Sequence, residues 1–436
     1  MDCKFCNGPL EGDEIRCPHC GEQLAQEKVS KKKIWKIIVA VVASLLCAAI
    51  VVGAIWYAVA PMAAKSDVAK RADYTVTGEV SEDVANQVVA VAGDKELTNS
   101  ELQFYYWYSV NNFVSYYGSY LDSLGLDIDK PLEDQMWDEQ AGETWQHFFL
   151  ANALNTWHRN ISVQMQADEA NYQLDAQSQE TVDTMADQLQ QMAEGYGYAN
   201  ALDMIRADFG PVSDDQGYMS YINTSMISNG YYATLYDGIV PTAEEVEAHY
   251  ESKASEFESA GMGKDAGKTV DVRHILITPE QTETEDGTTT ITDEQWEACR
   301  VKAQALLDAY LAGEVTEDAF AQLAIENSED PGSSANGGLY TQVYVGQMVE
   351  PFEDWCFDES RKTGDTGLVQ TNYGYHIMYF VADQEVWFVG AQSDLINERT
   401  EEMILAGMDK WPMEVKYRKI VLGDPNQTEV QTVPAS

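Results

Sequence analysis

Cys3, Cys6, Cys17 and Cys20 form two Cys-x2-Cys pairs separated by ten residues near the start of a 436-residue chain. Thiolates in that pattern can close a tetrahedron around one Zn2+, with each knuckle turning backbone amides toward the sulfurs. Four thiolates leave no open coordination position, so the expected ion is structural rather than catalytic. His19 lies between the last two cysteines and is not expected to be a ligand. Unrelated thiols or two redox pairs are the competing readings. Three cysteines remain: Cys47 in an apolar run, and Cys299 and Cys356 in a long acidic region. Two are too few for a disulfide framework, so that region is expected to rest on its core, with buried free thiols favoured over a single disulfide between them.

The elements around the cysteine module define a membrane arrangement. Residues 1–24 are expected to form a zinc ribbon. Ile37 to Ala60 runs for 24 residues without a charge. At about 1.5 Å per residue such a helix crosses a bilayer core. Lys28, Lys31, Lys32, Lys33 and Lys36 precede it, whereas only Lys65, Lys70 and Arg71 follow closely. The positive-inside rule therefore predicts a single-pass span over 34–60, with the N-terminus cytoplasmic and the remainder extracytoplasmic. A signal peptide cleaved after Ala58-Val59-Ala60 is the rival. The length of the run and the cysteine module before it favour a retained anchor.

Residues 61–83 read as a polar stalk. Beyond it lies the excess of acid behind the formal charge of −45. Such a surface excludes nucleic acid and anionic lipid as partners. It serves solubility, and secondarily suits basic unfolded segments. Val88–Val91 reads as a short strand before a Gly93-Asp94 turn. Thr98-Asn99-Ser100-Glu101 is a capping box opening an apolar helix, with Phe104-Tyr105-Tyr106-Trp107-Tyr108 as its core rather than a client surface. The pattern stays helical to about residue 240, and Thr242 with Glu245 opens a further helix.

At Thr269 the texture changes. Val270–Ile277 reads as a strand. Trp296, Cys299, Ala303, Leu307 and Leu311 lie at helical spacing, closed by Gly313. Phe320, Leu323 and Ala324 mark a second helix, and Tyr375–Val381 a returning strand. These alternating elements predict a compact α+β domain over 269–383. Ser393–Lys416 reads as helical, within a C-terminal helix expected over 386–420 and packed on the N-domain. Residues 421–436 read as a disordered tail.

Within 269–383 an ordered set of segments resembles the parvulin family. They are Val272-Arg273-His274-Ile275-Leu276-Ile277, Phe320-x2-Leu323-Ala324, Ser328-Glu329-Asp330, Gly337-Gly338-Leu339, Gly346-Gln347-Met348-Val349-Glu350-Pro351-Phe352-Glu353, and Gly364–Thr371 followed by Tyr373-Gly374-Tyr375-His376-Ile377. The resemblance implies peptidyl-prolyl cis/trans isomerisation without a cofactor. His274 and His376 would be the histidine pair at the floor of the site. Asp330 would lie near the substrate carbonyl. Met348 and Phe352, with Leu339, would wall the proline ring, and Tyr373 would complete the substrate side. The turn departs from the family's Gly-Gly-Asp-Leu-Gly, because Gly338 runs straight into Leu339-Tyr340. A shifted loop and slower turnover are expected from that change. No Lys or Arg cluster marks a phosphate site.

The helical segments 84–255 and 386–420 flank this domain, as in extracytoplasmic foldases of the PrsA and SurA type. The expected architecture is thus α+β: a small antiparallel-sheet parvulin domain with surrounding helices, set in a mainly helical chaperone domain, behind a zinc ribbon and one transmembrane helix. The expected function is a proline isomerase and foldase for unfolded or partly folded secreted proteins with proline-containing segments. A non-enzymatic holdase with a vestigial parvulin domain is one alternative. A transmembrane sensor whose zinc ribbon meets a cytosolic partner is another.

Overall fold

A computed structural model describes residues 80–118, 120–283 and 289–425, with the pair Thr75–Val76. The expected zinc ribbon, membrane span and most of the stalk and tail lie outside these residues. Among the described residues no helix is long and apolar enough to cross a membrane. In chain order the elements are β1 (Val88–Ala92), β2 (Lys95–Thr98), α1 (Asn99–Tyr117), α2 (Trp145–Glu169), α3 (Ala176–Gly195), α4 (Ala201–Phe209), α5 (Asp215–Gly238) and α6 (Ala243–Ser252). They continue as β3 (Lys268–Ile277), α7 (Asp293–Ala312), α8 (Glu317–Asn327), β4 (Leu339–Val343), α9 (Glu350–Cys356), β5 (Thr366–Gln370), β6 (Tyr375–Glu385), α10 (Val386–Lys410) and β7 (Met413–Val415). The architecture mixes helices with small antiparallel sheets. It divides into two compact units: Ile239–Arg399 is one, and the described residues up to Gly238 together with those from Thr400 form the other.

In the helical unit, α1 and α2 pack around the aromatic stretch. Tyr105, Tyr106, Trp145, Phe149 and Trp157 are fully buried, with Leu97 and Leu102 beside them. A second core joins Phe104 to α3, α4 and α5 through Leu189, Met204, Ile205 and Ile222. Tyr116 and Tyr120, farther along the same stretch, are exposed. Thr98 caps α1 as its sequence predicts, accepting the Glu101 N–H at 3.2 Å. Glu101, however, is 3% exposed, and its Oε2 accepts from the Ser220 hydroxyl of α5 at 2.8 Å. The carboxylate of a surface capping box has here become a buried interhelix contact.

The segment after α10 belongs to this unit. The helix expected over 386–420 ends at Lys410, because Pro412 disfavours helix at the residue before it. Met413–Val415 then pairs antiparallel with β1, making the order β7-β1-β2. Asn99, Gln103 and Trp107, spaced four apart on one face of α1, bind the following backbone. Asn99 Oδ1 accepts the Val421 N–H at 2.8 Å, Gln103 Oε1 accepts the Gly423 N–H at 2.9 Å, and the Trp107 indole donates to the Gly423 carbonyl at 2.8 Å.

The other unit is built on a four-stranded antiparallel sheet of order β5-β6-β3-β4. Strand alternation gives it two cores. Ile275, Ile277, Ile377 and Tyr379 pack beneath α7 and α8 with Ala303, Leu307, Phe320 and Ala324. Val270, Val272, Met378 and Phe380 pack against α9 with Phe352 and Trp355. Cys299 lies in the first core and Cys356 in the second, and both are free, buried thiols. Thr242 opens α6 with both halves of a capping box, and Thr292 does the same for α7.

Candidate functional site

Two strands bring the histidines together. His274 on β3 lies opposite Met378 on β6, so His376 is its diagonal neighbour on the α9 face of the sheet. The rings meet edge to edge, Nδ1 to Nδ1 at 3.1 Å. Both are buried. The ring of Phe352 on α9 stands perpendicular to each, with centroids 5.4 Å from His274 and 5.3 Å from His376.

Asp330 reaches the pair from the loop after α8. That loop is stitched to β3: the Glu329 N–H donates to the Leu276 carbonyl at 2.8 Å, and the Leu276 N–H donates to Ser328 Oγ at 3.1 Å. Asp330 Oδ2 faces three donors: Ser333 Oγ at 2.5 Å, Tyr340 OH at 3.0 Å and His274 Nε2 at 3.2 Å. On the far side, Thr371 Oγ1 lies 2.8 Å from His376 Nε2 and accepts the Tyr373 N–H at 3.1 Å.

These partners assign the protons. Ser333 and Tyr340 donate to the carboxylate, so His274 Nε2 carries a hydrogen and its Nδ1 accepts from His376 Nδ1–H. His376 Nε2 then accepts from the Thr371 hydroxyl. Both rings are neutral in this chain of bonds. Burial lowers the pKa of His274 against the opposing pull of Asp330. Burial and the neighbouring His274 bring His376 down to about 4. For Asp330, burial pushes the carboxyl up, but the hydrogen bonds it accepts, first from Ser333 and then from Tyr340, hold it below its ordinary value. The site therefore offers two neutral imidazoles and one fixed carboxylate.

The glycine turn closes the third side. The Gly338 carbonyl accepts the His274 N–H at 2.8 Å, and a Cβ on Gly338, at φ +72°, would lie 2.1 Å from the His274 carbonyl oxygen. Only glycine allows that approach. Arg273 braces the same turn, donating to the carbonyls of Asn336 and Gly337 at 3.1 and 3.0 Å and to Glu317 on α8 at 2.9 Å.

Of the residues singled out from sequence, His274, His376 and Phe352 are in mutual contact, Asp330 joins them through His274, and Met348 is half-buried against the same core as Phe352. Leu339 pairs with Arg273, and strand alternation sets it on the face opposite Tyr340. Tyr340, not Leu339, lies parallel to His274, with ring centroids 4.9 Å apart. The Tyr373 side chain is 58% exposed, and only its backbone joins the polar chain. Ser333, Tyr340 and Thr371 were not singled out. Thr371 stood inside the closing-strand motif, and Tyr340 was visible only as a departure from the turn pattern. Cys3, Cys6, Cys17 and Cys20 lie outside the described residues.

Elsewhere among the described residues, His249, Asp394 and Glu398 bring ligand-type atoms together. The Lys253 ammonium already sits on both carboxylates, at 2.7 and 3.1 Å, so the set is an ion-pair cluster joining α6 to α10.

Comparison with known proteins bears on the domain that holds the site. Residues 259–384 match the family model of the PPIC-type PPIase domain. Foldase protein PrsA 1 of Listeria innocua is 26% identical over 203 residues, covering 42% of this chain and 69% of that protein. A protein of Campylobacter jejuni named putative peptidyl-prolyl cis-trans isomerase Cbf2 is 40% identical over 68 residues, 16% of this chain and 25% of that one. The crystal structure of PrsA from Bacillus subtilis aligns with 63% of this chain and 90% of its own, at 17% identity and a TM-score of 0.32. The chain carries a parvulin-type peptidyl-prolyl cis/trans isomerase domain and has foldase homologues.

Proposed function

We propose that the protein is a membrane-anchored foldase that isomerises X-Pro bonds in unfolded or partly folded secreted proteins at the outer face of the membrane. The observation that carries the catalytic part is the meeting of His274, His376, Asp330 and Phe352 in one buried cluster within the matched domain. The barrier to rotation about a peptide bond is about 18–20 kcal/mol, and it falls when a site binds the twisted amide better than either planar form. Phe352 and Met348 supply apolar surface for the proline ring and exclude water from the bond. The Asp330 charge and the oriented imidazoles shape the field around the rotating carbonyl. No bond is made or broken, and no cofactor enters.

The decisive experiment is isomerisation of a short Xaa-Pro peptide by the full-length protein. Unaided X-Pro relaxation takes tens to hundreds of seconds, so even weak catalysis stands out. A rate equal to that in buffer would refute the enzymatic reading.

The cellular setting completes the proposal. Cys3, Cys6, Cys17 and Cys20 would hold one structural Zn2+ on the cytoplasmic side, and residues 34–60 would anchor the chain. Metal analysis should return one equivalent of zinc, lost when Cys3 and Cys17 are replaced by Ser. Protease added to intact cells should remove the region after residue 61 and spare the cysteine module. An externally digested module would overturn this orientation.

A further inference from the structure

Asp330 belongs to a loop, and the histidines belong to a sheet. Something must fix the distance between them. Ser333 donates to Asp330 and its Oγ also lies 3.0 Å from His274 Nε2, but it stands three positions along the same loop and moves with it. Tyr340 differs, because it is on β4, hydrogen-bonded into the sheet beside β3. Its hydroxyl donates to Asp330 Oδ2 at 3.0 Å, while its ring lies 19° from parallel to the His274 imidazole at 4.9 Å. One rigid side chain thus touches both halves of the site, and it packs with the α9 core that also holds Phe352 and Met348.

We propose that Tyr340 is a positioning residue for the isomerisation site: its hydroxyl holds the Asp330 carboxylate and its ring holds the His274 imidazole, so that one side chain sets the spacing between the fixed charge and the histidine pair. This rests on the reading of that cluster as the isomerisation site. With three donors converging on Oδ2, Asp330 serves as a fixed anion rather than a proton carrier. The turn that lacks the family's Asp places a phenol where it can brace the loop.

The test uses the full-length protein and separates the hydroxyl from the ring. Tyr340→Phe keeps the ring and removes the donor. It should lower kcat about tenfold, less than the roughly hundredfold loss of a positioned group itself because the Asp330 carboxylate is still present, while KM stays within about twofold. The acid limb of the kcat/KM profile should move to higher pH, because the carboxylate has lost a donor to its ionised form. Asp330→Asn, which has no such titration, should remove that limb and so identify it. Tyr340→Leu, which also loses the ring contact, should fall further in kcat than Tyr340→Phe. A Tyr340→Phe enzyme with wild-type kcat and an unmoved acid limb would overturn the proposal, even if its melting temperature fell. If the wild-type protein shows no catalysis, the isomerase reading fails, and the Asp330 side-chain carboxyl 13C titration then decides the role of Tyr340. A midpoint raised in Tyr340→Phe supports the brace, and an unchanged one refutes it.

Discussion

Acidification from pH 7 to pH 5 should push the two units in opposite directions. In the sheet unit, His376 is buried against His274 and Phe352, and its pKa is lowered to about 4. The unfolded chain takes up that proton near pH 6.5, so the unit's stability is intact above 6.5 and is lost progressively between 6.5 and 4. Over the two pH units in question the loss is about 2 kcal/mol. His274, lowered by burial in the same sense, adds to it. In the helical unit, Glu101 is buried beside Ser220, and burial raises its carboxyl to about 7 in spite of the Ser220 bond. Here the folded form keeps a proton that the unfolded chain releases above about pH 4.5, so stability is highest below that value and declines as pH rises through 7. The same acidification should therefore stabilise the helical unit by about 2 kcal/mol. Hydrogen exchange read by mass spectrometry, corrected for intrinsic rates, resolves the units separately. Peptides from 268–277 and 375–385 should lose protection about 30-fold, and peptides from 99–117 and 215–238 should gain a similar factor. Glu101→Gln should remove the helical gain alone, leaving the opposing loss from His158, whose pKa burial lowers, and His376→Gln should reduce the sheet response alone. Parallel shifts in both units would refute the argument that burial of these two groups governs the pH dependence.

Other expectations follow from the packing. Phe352→Ala removes a buried ring from between α9 and both histidines and should cost about 3–5 kcal/mol in unfolding by denaturant, with activity lost alongside. Met348→Ala, at a half-buried position, should cost less stability and appear mainly as a raised KM. Asp330→Asn should lower kcat/KM about tenfold or more with an unchanged circular dichroism spectrum. Gly338→Ala forces a methyl against the His274 carbonyl and should leave no folded isomerase domain, whereas Gly346→Ala, at positive φ but with nothing within 4 Å of its Cβ, should cost only about 1–2 kcal/mol of backbone strain.

Much of the isomerase region was legible because its period-2 and period-3.6 patterns are clean. The strand from Val270, the helix ending at Gly313 and the strand from Tyr375 all follow from side-chain spacing. The meeting of His274 with His376 came only by resemblance, since 102 residues separate them and the antiparallel register that joins them is a tertiary fact. The role of Leu339 was less legible: its neighbour Tyr340 faces the histidine, and the strand phase that decides between them depends on pairing with β3. Glu101 was misleading for a related reason. Thr-x-x-Glu spacing signals a solvated cap, but α5 arrives from more than a hundred residues away and buries the carboxylate. The stop at Lys410 was missed although Pro412 carries its signal, and the return of Met413–Val415 to β1 had no signal, because three residues carry too little pattern to announce a strand.

The amide stripe of Asn99, Gln103 and Trp107 has a consequence for the order of folding. The N–H of Val421 bonds to Asn99 across 322 positions of sequence. Chain emerging from its N-terminal end presents α1 with its polar stripe long before segment 419–423 exists to cover it. Ile239–Arg399 emerges whole in the interval, with its sheet formed wholly from its own residues. The isomerase unit can thus finish folding while the helical unit is still open, and the late arrival of 419–423 closes the helical unit around α1. The protein's own maturation then turns on a long-range closure that must wait, with the polar stripe of α1 left uncovered in the meantime.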